Sequence, residues 1–244
     1  MRGEVMRTSQ ADIIAPLIVS PQPAGTFARS SKSRLTSRDF DRFPDNTLFH
    51  RIARVVCGAG CLPRKELFEA WEVARRIRRR FRGGRVVDLC GGHGVLGQIM
   101  LLLDDSTPDV LIVDRALPRS ASTLARALAS EWPRLAGRVS FDEMPVETVG
   151  LRESDVVASI HACGELTDQV IDLAVRSRAR VAVMPCCHQL HAAQTGRLTG
   201  WLDGPLAIDV IRATKLRALG WEVWTQTIPV GITPHNRLLL AKPA

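Results

Sequence analysis

Two short clusters in the second half of the chain carry side chains able to do chemistry. One reads His161-Ala162-Cys163-Gly164-Glu165 and the other Pro185-Cys186-Cys187-His188. An imidazole titrates near neutrality, so His161 or His188 could take a proton from a hydroxyl or a ring nitrogen. Cys186 or Cys187 could add to a pyrimidine ring if its thiol pKa were lowered. His161, Cys163, Cys186, Cys187 and His188 could together gather around a metal. Against that, adjacent cysteines on a strand point to opposite faces and the chain has no C-x-x-C pair, so no metal is expected. The structural alternative stays open for each residue, with cysteines as small buried hydrophobes and histidines bonded to loops. A third stretch, VVDLCGGHGVLG at 86–97, places Gly91, Gly92 and Gly94 within four positions. Glycines between a strand and a helix let backbone N–H groups face a ligand with no Cβ in the way. Gly92 to Gly97 also satisfies GxGxxG, which alone is a weak pattern.

Positioning these residues requires regular elements. Apolar β-branched runs predict strands at 85–89, 110–114, 138–142, 155–160, 180–185, 221–228 and 236–242. Helices are predicted at about 94–103, 119–131, 167–177 and 205–219. Strands alternating with helices imply a parallel sheet covered on both faces. Only seven residues, 229–235, separate the last two strands, so these form an antiparallel hairpin. Ahead of the sheet, helices are predicted at 47–57 and 64–81. In the second, Leu67, Trp71, Ala74, Ile77 and Phe81 recur every three or four residues as a buried stripe. Residues 1–46, with Pro16, Pro21, Pro23 and Pro44 among many Ser and Arg, read as a loosely ordered basic arm holding one short strand at 13–19. The expected division is thus an arm at 1–46 and one domain at 47–244, comprising helices at 47–84 and a core at 85–244. The clusters at 161 and 186 both follow strands. They face one crevice, because ligands of open α/β sheets lie beyond the carboxyl ends of the strands.

Asp88-Leu89-Cys90-Gly91-Gly92-His93-Gly94 resembles the S-adenosylmethionine motif D/E-x-G-x-G-x-G, with Cys90 at the first glycine position. A carboxylate at Asp88 suits a methionyl ammonium and would repel a pyrophosphate, which argues against NAD. Asp114, ending the second strand, could accept from both ribose hydroxyls. Asp142, ending the third, could accept from an adenine amino group, with Glu143 next in line if the register slips by one. Any of these acids could instead cap a turn. Five β/α units closed by a strand hairpin resemble the Rossmann-like class I methyltransferase plan, a seven-stranded sheet here preceded by a basic, helical extension.

HACGELTD, PCCH and DLCGGHG together resemble one family of S-adenosylmethionine methyltransferases over roughly residues 47–242. That family includes tRNA ribose 2′-O-methyltransferases acting on the acceptor stem. It also includes the methyltransferase domain of the glutathione-S-transferase C-terminal-domain-containing protein. The resemblance implies S-adenosyl-L-methionine as cofactor, with Asp88, Cys90, Gly91, Gly92, Gly94, Asp114 and Asp142 at its site.

Composition narrows the partners. Hydrophobic residues are 45% and charged residues 24% of the 244, as in an ordinary globular domain. No apolar run reaches a membrane span and no signal peptide is read at the start. Six scattered cysteines fit a reducing cytoplasm better than a disulfide framework. Residues 1–85 hold 18 Lys+Arg against 8 Asp+Glu, whereas residues 86–244 hold 15 against 17. So basic a first third points to RNA as partner. A solvated arginine face beside a small-molecule acceptor is the competing reading, and a non-catalytic RNA-binding module is a third.

Overall fold

The strands at 86–89 and 110–114 are near-continuous apolar runs, and such runs need cover on both faces of a sheet. The computed structural model, which describes residues 27–188, 190 and 192–244, supplies it. Two helices come first, α1 (Leu48–Ala59) and α2 (Arg64–Arg80). The alternating part follows as β1 (Val86–Leu89), α3 (Val95–Leu102), β2 (Val110–Asp114), α4 (Ala121–Glu131), β3 (Val139–Glu143), β4 (Val156–Ser159), α5 (Glu165–Arg176) and β5 (Arg180–Val183). The short α6 (Ala192–Thr195), α7 (Gly204–Ala218), β6 (Trp221–Thr227) and β7 (Arg237–Pro243) complete the chain. The seven strands form one sheet ordered β3-β2-β1-β4-β5-β7-β6. β1 to β5 run parallel, and β7 pairs antiparallel with both β5 and β6. The expected fold class, with its C-terminal hairpin, is the one observed.

Side chains alternate along each strand and divide the core in two. Val86, Ile112, Ala158 and Leu240 pack under α1 to α4, while Val87, Val113, Val157 and Leu239 pack under α5 and α7. Local chemistry sets the helix ends. Thr47 accepts from the His50 N–H at the start of α1, and Gly60 closes that helix in the left-handed conformation at φ 65°. Asp203 caps α7 by accepting from the Leu206 N–H.

One boundary differs from expectation. Residues 27–46, read as part of a loose arm, are docked on the helices. Leu35 and Phe43 are buried, Leu35 N–H donates to the Leu62 carbonyl, and Arg34 bridges Pro63. The Phe27 ring packs edge-on against Phe43, with the Arg64 guanidinium 3.7 Å from its centroid. Single apolar residues scattered among Ser and Arg set up no period, so no local pattern signals this docking. The strand expected at 13–19 lies outside the described residues.

Most of the arginines crowding 75–82 are engaged within the fold. Arg78 is 2% exposed and donates to the carbonyls of Met100 and Phe81 and to the Thr107 hydroxyl, with Asp104 3.3 Å away. Arg76 reaches Glu72 and the Thr227 carbonyl, Arg80 lies over Trp224, and Arg82 donates to the Leu103 carbonyl. The contacts of Arg78 and Arg82 gather where α3 ends and β1 begins, at the sheet end opposite the glycine loop. Asp104 is their anchor. Burial would raise its pKa, but the hydrogen bonds from the Ser106 hydroxyl and the Gly83 and Ser106 amides, with Arg78, hold it down at about 2. A carboxyl depressed in the folded state stabilises above its unfolded pKa of about 4 and loses that contribution as pH falls towards 2. Asp104→Ala leaves the Arg78 charge buried without its carboxylate and should lower stability by about 3–5 kcal/mol in urea unfolding at neutral pH. A loss under about 1 kcal/mol, the range of surface pairs, would contradict that role.

Candidate active site

The site is built where β1, β2, β4 and β5 end. β1 passes at once into a turn of left-handed residues, Cys90 at φ 58°, Gly92 at φ 51° and Gly94 at φ 68°. At Gly94 a side chain is excluded twice over, since a Cβ would lie 2.3 Å from the Ile112 methyl. Gly92 is the opposite case, with nothing within 4 Å of a Cβ, because it faces the crevice. Cys90 shows that the first glycine position of the motif needs the conformation rather than the residue. Its thiol is pushed up to about 12 by burial, helped by the charges of Asp114 and Asp88, so it stays protonated.

Two carboxylates fix this turn. Asp88 is 1% exposed and accepts from the Gly97 N–H at 2.9 Å, satisfying a free donor in the first turn of α3. Burial raises its pKa to about 7, against the opposing pull of the Gly97 amide. Asp114 accepts from the Gly92 N–H at 3.0 Å. His93 bonds the Ser120 hydroxyl at 2.9 Å.

Two adjoining cavities open above the strand ends. One, of about 260 Å³, is lined by Asp88, Gly92, Asp114, Glu66 and His161 among others. The second, of about 430 Å³, shares Cys90, Asp114 and His161 and extends to Pro145, Val146 and Glu147. A larger groove of about 730 Å³ runs between α5 and α7, away from the loop. The crevice brings together Asp88, Cys90, Gly91, Gly92, Asp114 and His161. Asp142 stands apart from its lining: Phe141 packs beside Gly94, so Asp142, one residue on, faces the other side of the sheet. Glu143 accepts from the Leu117 N–H instead. The wall expected from Asp142 is made by Val146 and Glu147. Sequence reading missed these two and Glu66, since a loop and a helix far from any motif carry them.

The two chemistry-bearing clusters separate in role. His161 lines both cavities, and burial holds its pKa below the ordinary value, so the imidazole is neutral and able to accept a proton. His188 does not face the crevice: its side chain is 2% exposed and its Nε2 lies 2.9 Å from Asp209 Oδ1. Asp209 also accepts from Arg237 at 2.7 Å, and Arg212 pairs with Asp168 and donates to the Gly164 carbonyl. Four elements are tied together by this network, across 21 to 48 residues of sequence. Such separations leave no local signal. His188 is therefore a brace for the loops, which corrects its expected place as a catalytic base.

Cys186 and Cys187 follow β5, which ends at Val183, so strand alternation no longer governs them. Their sulfurs and that of Cys163 all lie within 4.8 Å of one another, with Cys163 and Cys186 2.7 Å apart. The ground for expecting no metal, side chains on opposite faces, does not hold. A nucleophilic Cys186 would need a lowered pKa, whereas burial and then the neighbouring Cys163 push it upward.

The residues fit S-adenosylmethionine in kind: a glycine turn with no Cβ at Gly92 to fill the crevice, a carboxylate at the second strand end, and a buried acid whose pKa a cation would lower. Residues 106 in number align at 34% identity with a glutathione S-transferase C-terminal domain-containing protein homolog of Drosophila pseudoobscura pseudoobscura, covering 43% of this chain and 17% of that protein. The human protein of that name matches at 29% over 107 residues, 43% of this chain and 16% of its own length. The aligned stretch thus spans under a fifth of these relatives. Among solved structures, an O-methyltransferase family protein from Burkholderia thailandensis superposes with a TM-score of 0.49 at 18% identity, over 86% of this chain and 63% of that one. Magnesium protoporphyrin IX methyltransferase from Synechocystis, solved with bound SAH, gives 0.49 at 16% identity over 86% and 96%. A family model described as a methyltransferase domain matches residues 67–194. That span is more than half of the chain and runs from α2 past the PCCH cluster, so the chain belongs to this methyltransferase-domain family.

Proposed function

We propose that this chain transfers a methyl group from S-adenosylmethionine to RNA. The observation that carries the donor is Asp114, which lines both cavities beside the open face of Gly92. Bound there, S-adenosylmethionine supplies an activated sulfonium methyl, so the protein has mainly to align the acceptor. Asp114 keeps one oxygen on the Gly92 amide and offers the other to a ribose diol. The Asp88 carboxyl gives up its proton to partner the methionyl ammonium. Val146, in the wall of the second cavity, would offer an apolar surface to the adenine. Neutral His161, at the junction of the two cavities, takes the proton of an acceptor hydroxyl or ring nitrogen.

The acceptor reading rests on charge near the crevice. Arg115 is exposed and lines the second cavity, and Arg34 is exposed with its field reaching His93. Arg29, Lys32 and Arg38 are exposed in the same docked segment. A small-molecule acceptor is the second reading, favoured by the engagement of the α2 arginines within the fold.

Three outcomes test these assignments. Calorimetry should show S-adenosylmethionine binding and no NAD binding, with Asp114→Ala weakening the former by ~1.5–3 kcal/mol, as for a lost bond to a charged group. NAD binding would overturn the donor assignment. Asp88 has a raised folded pKa near 7 and must ionise on binding. Affinity should therefore rise as pH climbs through about 7 and level off above it, and Asp88→Asn should flatten that profile. A pH-independent wild type would remove Asp88 from the ammonium. Total-RNA affinity should fall with salt, with a log–log slope of about −0.7 to −0.9 per phosphate contacted. Arg34→Glu with Arg115→Glu should reduce it, and unchanged affinity would favour the small acceptor.

A further inference from the structure

We propose that Cys163, Cys186 and Cys187 form a binding site for a soft divalent cation, zinc by its chemistry, with a fourth coordination position open to solvent at the rim of the crevice. Three thiols from two separate loops converge with every Sγ within 4.8 Å of the others. A tetrahedral zinc with Zn–S bonds near 2.3 Å sets sulfur separations of about 3.8 Å, between the 2.7 Å of Cys163 and Cys186 and the 4.8 Å limit of the cluster, so binding would spread that closest pair. A pair of thiols would be enough for a redox couple. The third, Cys187, is what makes a cation cage, and three thiolates are a ligand set for zinc rather than for the oxygen-seeking magnesium or calcium.

The loops are built to keep the sulfurs there. The Gly164 N–H donates to the Cys187 carbonyl at 3.1 Å, joining the two loops directly. The Thr167 hydroxyl donates to the Ala162 carbonyl at 2.5 Å, fixing the residue before Cys163. Behind them, Arg212 donates to the Gly164 carbonyl, and His188, the neighbour of Cys187, is held by Asp209. Metal sites characteristically have such outer bonds orienting their ligands. Cys163 also lies two residues before the first residue of α5, where the positive end of the helix favours a thiolate.

Burial, with the crowded thiols, raises the pKa values of Cys163 and Cys186. Binding replaces up to three thiol protons, released to solvent, by one dication. Cys163 and Cys187 are exposed and, among the described residues, no fourth ligating side chain joins the three, so a water would fill the last position. The cation thus ties the loop after β4 to the loop after β5 at the rim of the crevice. This inference concerns the thiols alone and does not rest on the methyl-transfer reading.

The test uses the reduced, metal-stripped full chain titrated with cobalt(II). One equivalent should give thiolate-to-cobalt charge-transfer absorption and the intense d–d bands of a four-coordinate ion, both bleached by zinc. Cys163→Ser and Cys187→Ser, at exposed positions, should each weaken cobalt binding roughly tenfold or more. Cys61→Ser, in the distant helical layer, should leave it unchanged. Circular dichroism of each variant establishes that it is folded. Absence of the charge-transfer band in the reduced wild type would overturn the site. So would an undiminished band in a folded variant with all three cysteines replaced.

Discussion

A buried carboxylate holding a backbone amide is the interaction on which the site depends. Asp88 lies on β1 in the middle of the sheet, and its bond to the Gly97 N–H fixes where α3 starts relative to the strand. That start sets the left-handed path through Cys90, Gly92 and Gly94, and the path determines which amides face the crevice. Asp114 then secures the loop from the next strand by holding the Gly92 amide. The two acids lie close enough for the charge of Asp114 to help raise the pKa of Asp88. An arrangement that buries one carboxyl and crowds it with another favours a cation arriving between them.

From this turn outward, the fold was largely legible. Strand positions and the closing hairpin could be read because buried parallel strands are continuous apolar runs, and because seven residues cannot carry a crossover helix. The glycine loop and the acids at 88 and 114 were legible for a related reason, since strand ends in an open sheet point to one crevice. Asp142 was not. One step of side-chain alternation separates the crevice from the far face, and Phe141 beside Gly94 decides it. His188 was misjudged because the partner that buries it, Asp209, lies on a helix 21 residues away.

Charge was the least faithful guide. Eighteen basic residues before position 86 suggested a surface for a polyanion. In the structure Arg78 is a core residue, and Arg76, Arg80 and Arg82 are tied to α2, α3 and β6 or the loops beside them. A guanidinium has five donors and a stackable face, so it satisfies buried carbonyls and covers aromatic rings as readily as it binds phosphate. The exposed basic residues nearest the crevice are few, Arg34 and Arg115 foremost. Adjacent cysteines taught the converse lesson. Opposite-face reasoning is valid only within a strand, and β5 ends before Cys186, leaving three sulfurs free to converge.

The account stands on a donor site between the glycine loop and the end of β2. A crystal structure of the chain with S-adenosylhomocysteine tests this most directly. It should show the ribose hydroxyls on Asp114, the amino-acid end over Gly92 towards Asp88, and the sulfur facing His161. Ligand density in the groove between α5 and α7, with the Gly92 loop empty, would contradict it.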